Sequence, residues 1–156
     1  NYTQFNKVNF SGFEMNLHFH PHSIHSLHLE QSYSFISTKN YDNNQALSLT
    51  PSNKIKTGIK LELEEYNLGV KFRTLSLYHL YSFAQERVVE NETVTDAYNV
   101  LNVALSFKLF NQLNIVLGVN NLLNKEYVPH LSRVKEVGGG VPNPGRSFTI
   151  NLKYDF

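Results

Sequence analysis

The chain has no cysteine and no tryptophan, a single methionine, and only 17% charged residues, which nearly cancel to a net charge of +1. Without cysteine there is no disulfide framework, no thiolate metal site and no cysteine nucleophile, although the compartment stays open. The near-neutral charge lacks the basic footprint of a nucleic-acid binder, so no nucleic-acid partner is expected. No run of about eighteen apolar residues occurs, which excludes a transmembrane helix. What is present instead is 11 Phe and 9 Tyr set among many Asn and Ser, a mixture that favours strands and polar loops.

Period-2 alternation of apolar and polar residues recurs along the chain and marks strands with two differently solvated faces. About seven such strands are predicted, over residues 8–20, 24–37, 53–65, 67–85, 97–110, 112–122 and 146–156. The third is cleanly two-faced, with Ile55, Thr57, Ile59, Leu61 and Leu63 set against Lys54, Lys56, Lys60, Glu62 and Glu64. In the fourth, the apolar face starts with Leu68, Val70 and Phe72 and then shifts to Leu75, Leu77, His79, Tyr81 and Phe83. One extra residue flips all later side chains, so a β-bulge is expected near Arg73 or Thr74.

The connectors alternate short and long. "HPHS", "EYN" and "FNQ" are tight, whereas "STKNYDNNQALSLTPSN", "AQERVVENETVTD" and "LLNKEYVPHLSRVKEVGGGVPNPG" are long. An all-β, antiparallel up-and-down meander then has its short turns at one end and its long loops at the other, the segregation seen in outer-membrane barrels. The pattern alone leaves two solutions. In a soluble β-sandwich the apolar faces meet in a core, while in a membrane barrel they face lipid and the polar faces line a lumen. Strand length favours the membrane, because a tilted strand needs about 9 to 11 residues to cross hydrocarbon.

The stretch "LGVNNLLNKEYVPHLSRVKEVGGGVPNPGRSFTINLKYDF" resembles the C-terminal end of a TonB-dependent outer-membrane receptor. Asn121, Leu122, Leu123, Asn124, Lys125 and Tyr127 match the family's motif at the end of the penultimate strand. Pro144, Gly145, Arg146 and Phe148 open the last strand, and Phe156 ends it. Upstream, Gly12, Glu14, Tyr33, Ser34 and Phe35 resemble the family's recurring strand, tight turn and strand. The resemblance implies that residues 1–156 are the C-terminal segment of a 22-stranded transmembrane β-barrel, with the plug domain absent. It also implies energy-coupled import of a scarce ligand of the ferric siderophore, haem or cobalamin class, in the cell outer membrane. The implied partners are outer-membrane lipid, the remaining strands and plug, the TonB complex through the N-terminal part, and the barrel-assembly machinery. That machinery would read the terminal strand, with Phe148, Ile150, Leu152, Tyr154 and Phe156 on its lipid face.

Candidate sites are few. The long loop "YVPHLSRVKEV" carries His130, Arg133 and Lys135, which would contact a ligand and would suit an anionic chelate. The histidines at 18, 20, 22, 25 and 28 invite a metal reading, but Pro21 places His22 in the turn and His25 lies opposite His28, so lumen-lining polar roles are expected and no metal site is assigned. The glycines of "EVGGGVPNPG" lack the following helix or Lys-Ser/Thr of a phosphate cradle. No spacing pairs an acid with a base or a nucleophile, so neither catalysis nor a cofactor is expected. Two alternatives stay open: a small outer-membrane barrel with an adhesin or structural role, and a soluble β-sandwich binding module.

Overall fold

Alternating β-branched and aromatic residues with no helical period leave the backbone one way to satisfy its hydrogen bonds, which is across strands. The computed structural model describes residues 7–63, 66–67, 69–89, 92–132 and 141–156, and all its regular elements are strands. They are β1 (Val8–Phe19), β2 (Leu27–Asn40), β3 (Lys54–Glu62), β4 (Tyr66–Asn67), β5 (Val70–Ser82), β6 (Tyr98–Leu109), β7 (Leu113–Asn120) and β8 (Ser147–Tyr154). Seven long strands form one antiparallel sheet in the order β1-β2-β3-β5-β6-β7-β8, with the short β4 pairing β5 beyond the end of β3. Each long strand therefore lies beside the next long strand in sequence.

Register gives every side chain its face. Phe13 pairs with Phe35, Tyr33 with Ile55, Ile59 with Leu77, Leu75 with Leu105, Leu105 with Leu117 and Leu117 with Ile150. That chain of pairs is the apolar face. The other face pairs Glu14 with Ser34, Ser32 with Lys56, Lys60 with Ser76, Thr74 with Ser106 and Asn114 with Lys153. The expected bulge is present, since the β5–β6 register shifts between Phe72 and Thr74. Arg73 is the extra residue, and it is why Phe72 and Leu75 can both lie on the apolar side.

No second layer covers that side among the described residues. Tyr98 and Val100 are their only buried hydrophobics, at 7% and 5% exposure, whereas Phe13 is 54% and Ile150 67% exposed. A sandwich needs two sheets packed face to face, and this is one sheet, so the soluble-sandwich alternative does not describe the molecule. β1, β2, β5 and β6 run 12, 14, 13 and 12 residues, well beyond the roughly 5 to 6 of ordinary strands.

The connections segregate by length. Those between β1 and β2, β4 and β5, and β6 and β7 are short and share one end of the sheet, while those between β2 and β3, β5 and β6, and β7 and β8 are long and share the other. The last strand runs toward the short-turn end. The β6–β7 turn places both Phe110 and Asn111 at positive φ, 48° and 59°, which is the geometry of a type I′ hairpin turn. It leans on the neighbouring hairpin, where Phe110 N–H donates to the Gly69 carbonyl at 2.9 Å. Gly69 has φ of 81°, and a Cβ there would sit 2.9 Å from Phe110 Cε1. Gly69→Ala is therefore expected to destabilise the chain by about 1 to 2 kcal/mol, measured as a lowered urea midpoint in detergent; an unchanged midpoint would refute this role for Gly69.

Candidate functional site

Two regions of the sheet concentrate polar chemistry, and both follow from the register. The first is the long-loop end, where three connections fold over one another through buried polar groups. Gln85 is 1% exposed; its Nε2 donates to the carbonyls of Thr50 and Pro51 at 2.8 and 3.1 Å, and its Oε1 accepts from Arg87 N–H at 3.2 Å. Arg87 reaches β2, donating to Ser37 Oγ and the Ile36 carbonyl, both at 3.0 Å. Tyr98 stacks on Tyr127 with ring centroids 4.3 Å apart. These contacts tie the β5–β6 connection to the β2–β3 connection and to the last long loop.

His130 lies inside this layer, at 3% exposure. Its Nε2 is 3.2 Å from Glu92 Oε1 and its Nδ1 is 3.1 Å from Thr95 Oγ1. The imidazole, a sequence candidate for ligand contact, is engaged with the neighbouring loop. Arg133 and Lys135, its companions in that expectation, lie outside the described residues. Beside the layer, Thr93–Tyr98 and Lys125–Val128 enclose an open groove of about 380 Å³ with Asp96, Lys125 and Glu126 on its walls.

The motif at the end of the penultimate strand has a physical role here. Asn121, 3% exposed and at φ 49°, donates from Nδ2 to the Lys125 carbonyl at 2.8 Å and accepts at Oδ1 from Lys125 N–H at 2.9 Å; its own N–H donates to Asn102 Oδ1 at 2.9 Å. Asn124 Oδ1 accepts from Arg146 N–H at 2.8 Å, and Arg146 Nε donates to the Leu122 carbonyl at 2.9 Å. Gly145 is where it is because a Cβ there would come within 2.6 Å of Asn124 Oδ1. The asparagines thus fasten the start of β8 to the end of β7.

The second region is the polar face at the short-turn end. Lys108 Nζ and Lys153 Nζ approach Asp155 at 3.3 and 3.4 Å, and Lys60 Nζ approaches Glu62 at 3.0 Å. Arg73 Nη1 donates to Asn114 Oδ1 at 3.4 Å. The histidines divide: His18 contacts Glu30 at 3.7 Å, His28 contacts Glu62 at 3.1 Å, and His20 meets His28 edge-on with centroids 4.2 Å apart. Among the described residues no group of three or more His, Asp or Glu is placed to hold a metal ion. On the apolar side of the terminal strand, Phe148, Ile150, Leu152, Tyr154 and Phe156 are all exposed, and Tyr154 meets Phe156 edge-on at 5.0 Å.

Sequence reasoning missed the Gln85, Arg87 and Glu92 contacts, because their partners lie dozens of residues away and no local spacing signals them. It also missed the basic strip around Arg73, whose members were visible one strand at a time. No helix among the described residues is long and apolar enough to cross a membrane, which says nothing about crossing with strands.

No family model matches the chain, and no curated protein matches it. Solved structures do match. One of them, "Copper transporter OprC", superposes with a TM-score of 0.79 at 18% sequence identity, covering 96% of this chain. At that identity the likeness shows the fold alone, and this chain spans 24% of the length of that protein.

Two outcomes follow from these contacts. Asn121→Ala removes hydrogen bonds from buried backbone groups and should cost about 1 to 3 kcal/mol, read as faster amide exchange through β8 than through β1; equal change in both strands would argue against a local fastening. Asp155 lies just beyond β8, and its hydrogen bonds from Asn114 and then Lys108 hold its carboxyl below the usual aspartate value. Its contribution is complete above the unfolded carboxyl's pKa of about 3.9 and disappears as pH falls through the lower folded value. Acidification below about pH 4 should therefore loosen the carboxyl from Asn114 and Lys108, read as a change in their side-chain NMR shifts that is missing in Asp155→Asn.

Proposed function

We propose that the chain is a stretch of wall from a TonB-dependent outer-membrane receptor, a protein that imports a scarce ligand with energy supplied from outside the barrel. What carries this reading is the uncovered apolar face: one long-stranded sheet with hydrophobic residues on one side, charged and polar residues on the other, and connections sorted into short and long ends. Such a sheet is at rest in a bilayer, where apolar side chains meet lipid and polar ones line an interior. The likeness in fold to the copper transporter and the resemblance of the terminal motif support the same reading.

In this role the chain makes and breaks no bond in its cargo. It supplies barrel wall, a layer of outward-facing loops and the strand by which assembly proceeds. The resemblance implies a ferric siderophore, haem or cobalamin as cargo, whereas the structural neighbour is named for copper. We place the cargo-contacting surface on the long-loop layer, with the groove beside Tyr98 and Tyr127 as its part in this chain. The plug, the TonB complex and the assembly machinery belong to the proposal as partners of the whole receptor.

A pair of adjacent residues tests it. Ile150 lies on the apolar face in the middle of β8 and Asn151 on the polar face. In lipid vesicles Ile150→Lys should cost about 2 to 4 kcal/mol, the penalty for a lysine near the bilayer midplane, while Asn151→Lys stays near neutral. In a water-exposed sheet both substitutions would be tolerated alike. Equal stability of the two variants in vesicles, or a folded, monomeric product without detergent, would sink the membrane reading.

A further inference from the structure

We propose that the polar face at the short-turn end is an anion-binding strip that takes an extended acidic polypeptide segment. This rests on the reading above only in that the face looks onto an interior and away from lipid. The bulge builds the strip. In a regular strand Arg73 and Thr74 would point to opposite sides; here both serve the polar face, Thr74 Oγ1 lying 2.6 Å from Ser106 Oγ and Arg73 Nη1 3.4 Å from Asn114 Oδ1.

Among the described residues the charges around Arg73 are not balanced. Lys71 stands directly opposite Lys108 in the β5–β6 register, and like charges across a ladder destabilise it. Glu62 serves Lys60, and Asp155 serves both Lys108 and Lys153. Among the described residues neither Lys71 nor Arg73 has an ion-pair partner, and both side chains are exposed. Open grooves of about 280 and 420 Å³ lie on either side, and Arg73 and Ser106 line both, so the strip is continuous from Lys60 and Lys71 to Lys153.

The spacing selects the occupant. The cations run from Lys60 on β3 across β5 and β6 to Lys153 on β8, four inter-strand spacings or roughly 19 Å, a reach that suits an extended peptide carrying several carboxylates. A single small anion would bridge neighbouring cations and leave those at the far end of the strip unserved. Amides of Asn114 and Asn151 and the hydroxyl of Ser106 line the larger groove and can hydrogen-bond the backbone of such a segment.

The test uses the 156-residue chain folded in neutral detergent micelles, with fluorescein-labelled hexaglutamate as the probe and anisotropy as the readout. Circular dichroism on the same samples confirms that every variant keeps its strand content. Saturable binding is expected, weakened about tenfold by raising salt to about 0.5 M. Lys71→Gln/Arg73→Gln should weaken it about tenfold as well, whereas Lys39→Gln, remote from the strip, should leave it unchanged. The proposal is overturned if the folded chain shows no saturable binding, if the double variant binds like the parent, or if inorganic phosphate at equal charge displaces the probe completely. Binding that appears only in Glu64→Gln/Glu65→Gln would overturn it too, since the chain's own carboxylates would then fill the strip. A chain that folds without detergent would end the membrane reading whatever the peptide does, so the two failures are separable.

Discussion

The antiparallel ladder from β1 to β8 is the constraint from which the other features follow, because the described residues form almost no apolar core to share the burden. Tyr98 and Val100 are the only hydrophobic side chains buried among the described residues. Backbone pairing instead satisfies the amide and carbonyl groups strand by strand, and a ladder leaves no freedom over which way a side chain points. The apolar stripe through Phe13, Phe35, Ile59, Leu77, Leu105, Leu117 and Ile150 is thus a consequence of register. So is the polar face behind it. A single sheet with such an asymmetry is stable where its two sides meet different media, and that requirement links the fold to its proposed setting.

Much of this was legible in the residues because the relevant signals are local. Alternation over Ile55–Leu63 announces a strand, and the slip of the apolar face between Phe72 and Leu75 announces a bulge, since only an extra residue can change parity without ending the strand. The contacts of the loop layer have no such signature. Gln85 meets Thr50, Arg87 meets Ile36, and His130 meets Glu92 across separations that no pattern within one segment encodes. For the same reason His130 reads as a free ligand-contacting residue in a polar loop, although the fold buries it against a carboxylate. The terminal motif was recognisable before its physics was: Asn121 and Asn124 are hydrogen-bonding side chains at positive φ that wire β7 to β8.

The two ends of the sheet use polar residues differently. At the long-loop end, Gln85, Asn121 and His130 are buried and engaged, so their hydrogen bonds are formed away from water and fix the paths of the loops. At the short-turn end the charged groups are half-buried or exposed, and their pairs contribute little to stability individually. A like-charge pair such as Lys71 and Lys108 is then a small cost in the bare sheet, and it becomes a gain once a counter-charge lies along the face. The rigid end positions loops, while the open end keeps a charge pattern that the described residues leave uncompensated.

Strand direction constrains what completes the sheet. Direction reverses at each step of the meander, so β1 and β8, the first and last of seven, run the same way. Antiparallel closure between them requires an odd number of further strands. One strand would make the eight of the smallest barrels, and fifteen would make the 22 of plugged transporters, so parity alone admits both. Edge character adds to this. Soluble sheets blunt their edges with proline, bulges or very short strands, yet β1 carries no proline and pairs with β2 over twelve residues without a register shift. An edge so regular, with its outer amides and carbonyls turned away from the sheet, has no place in hydrocarbon unless another strand completes its ladder. In the bilayer proposed above, the outer backbone groups of β1 and β8 each need a strand to pair with.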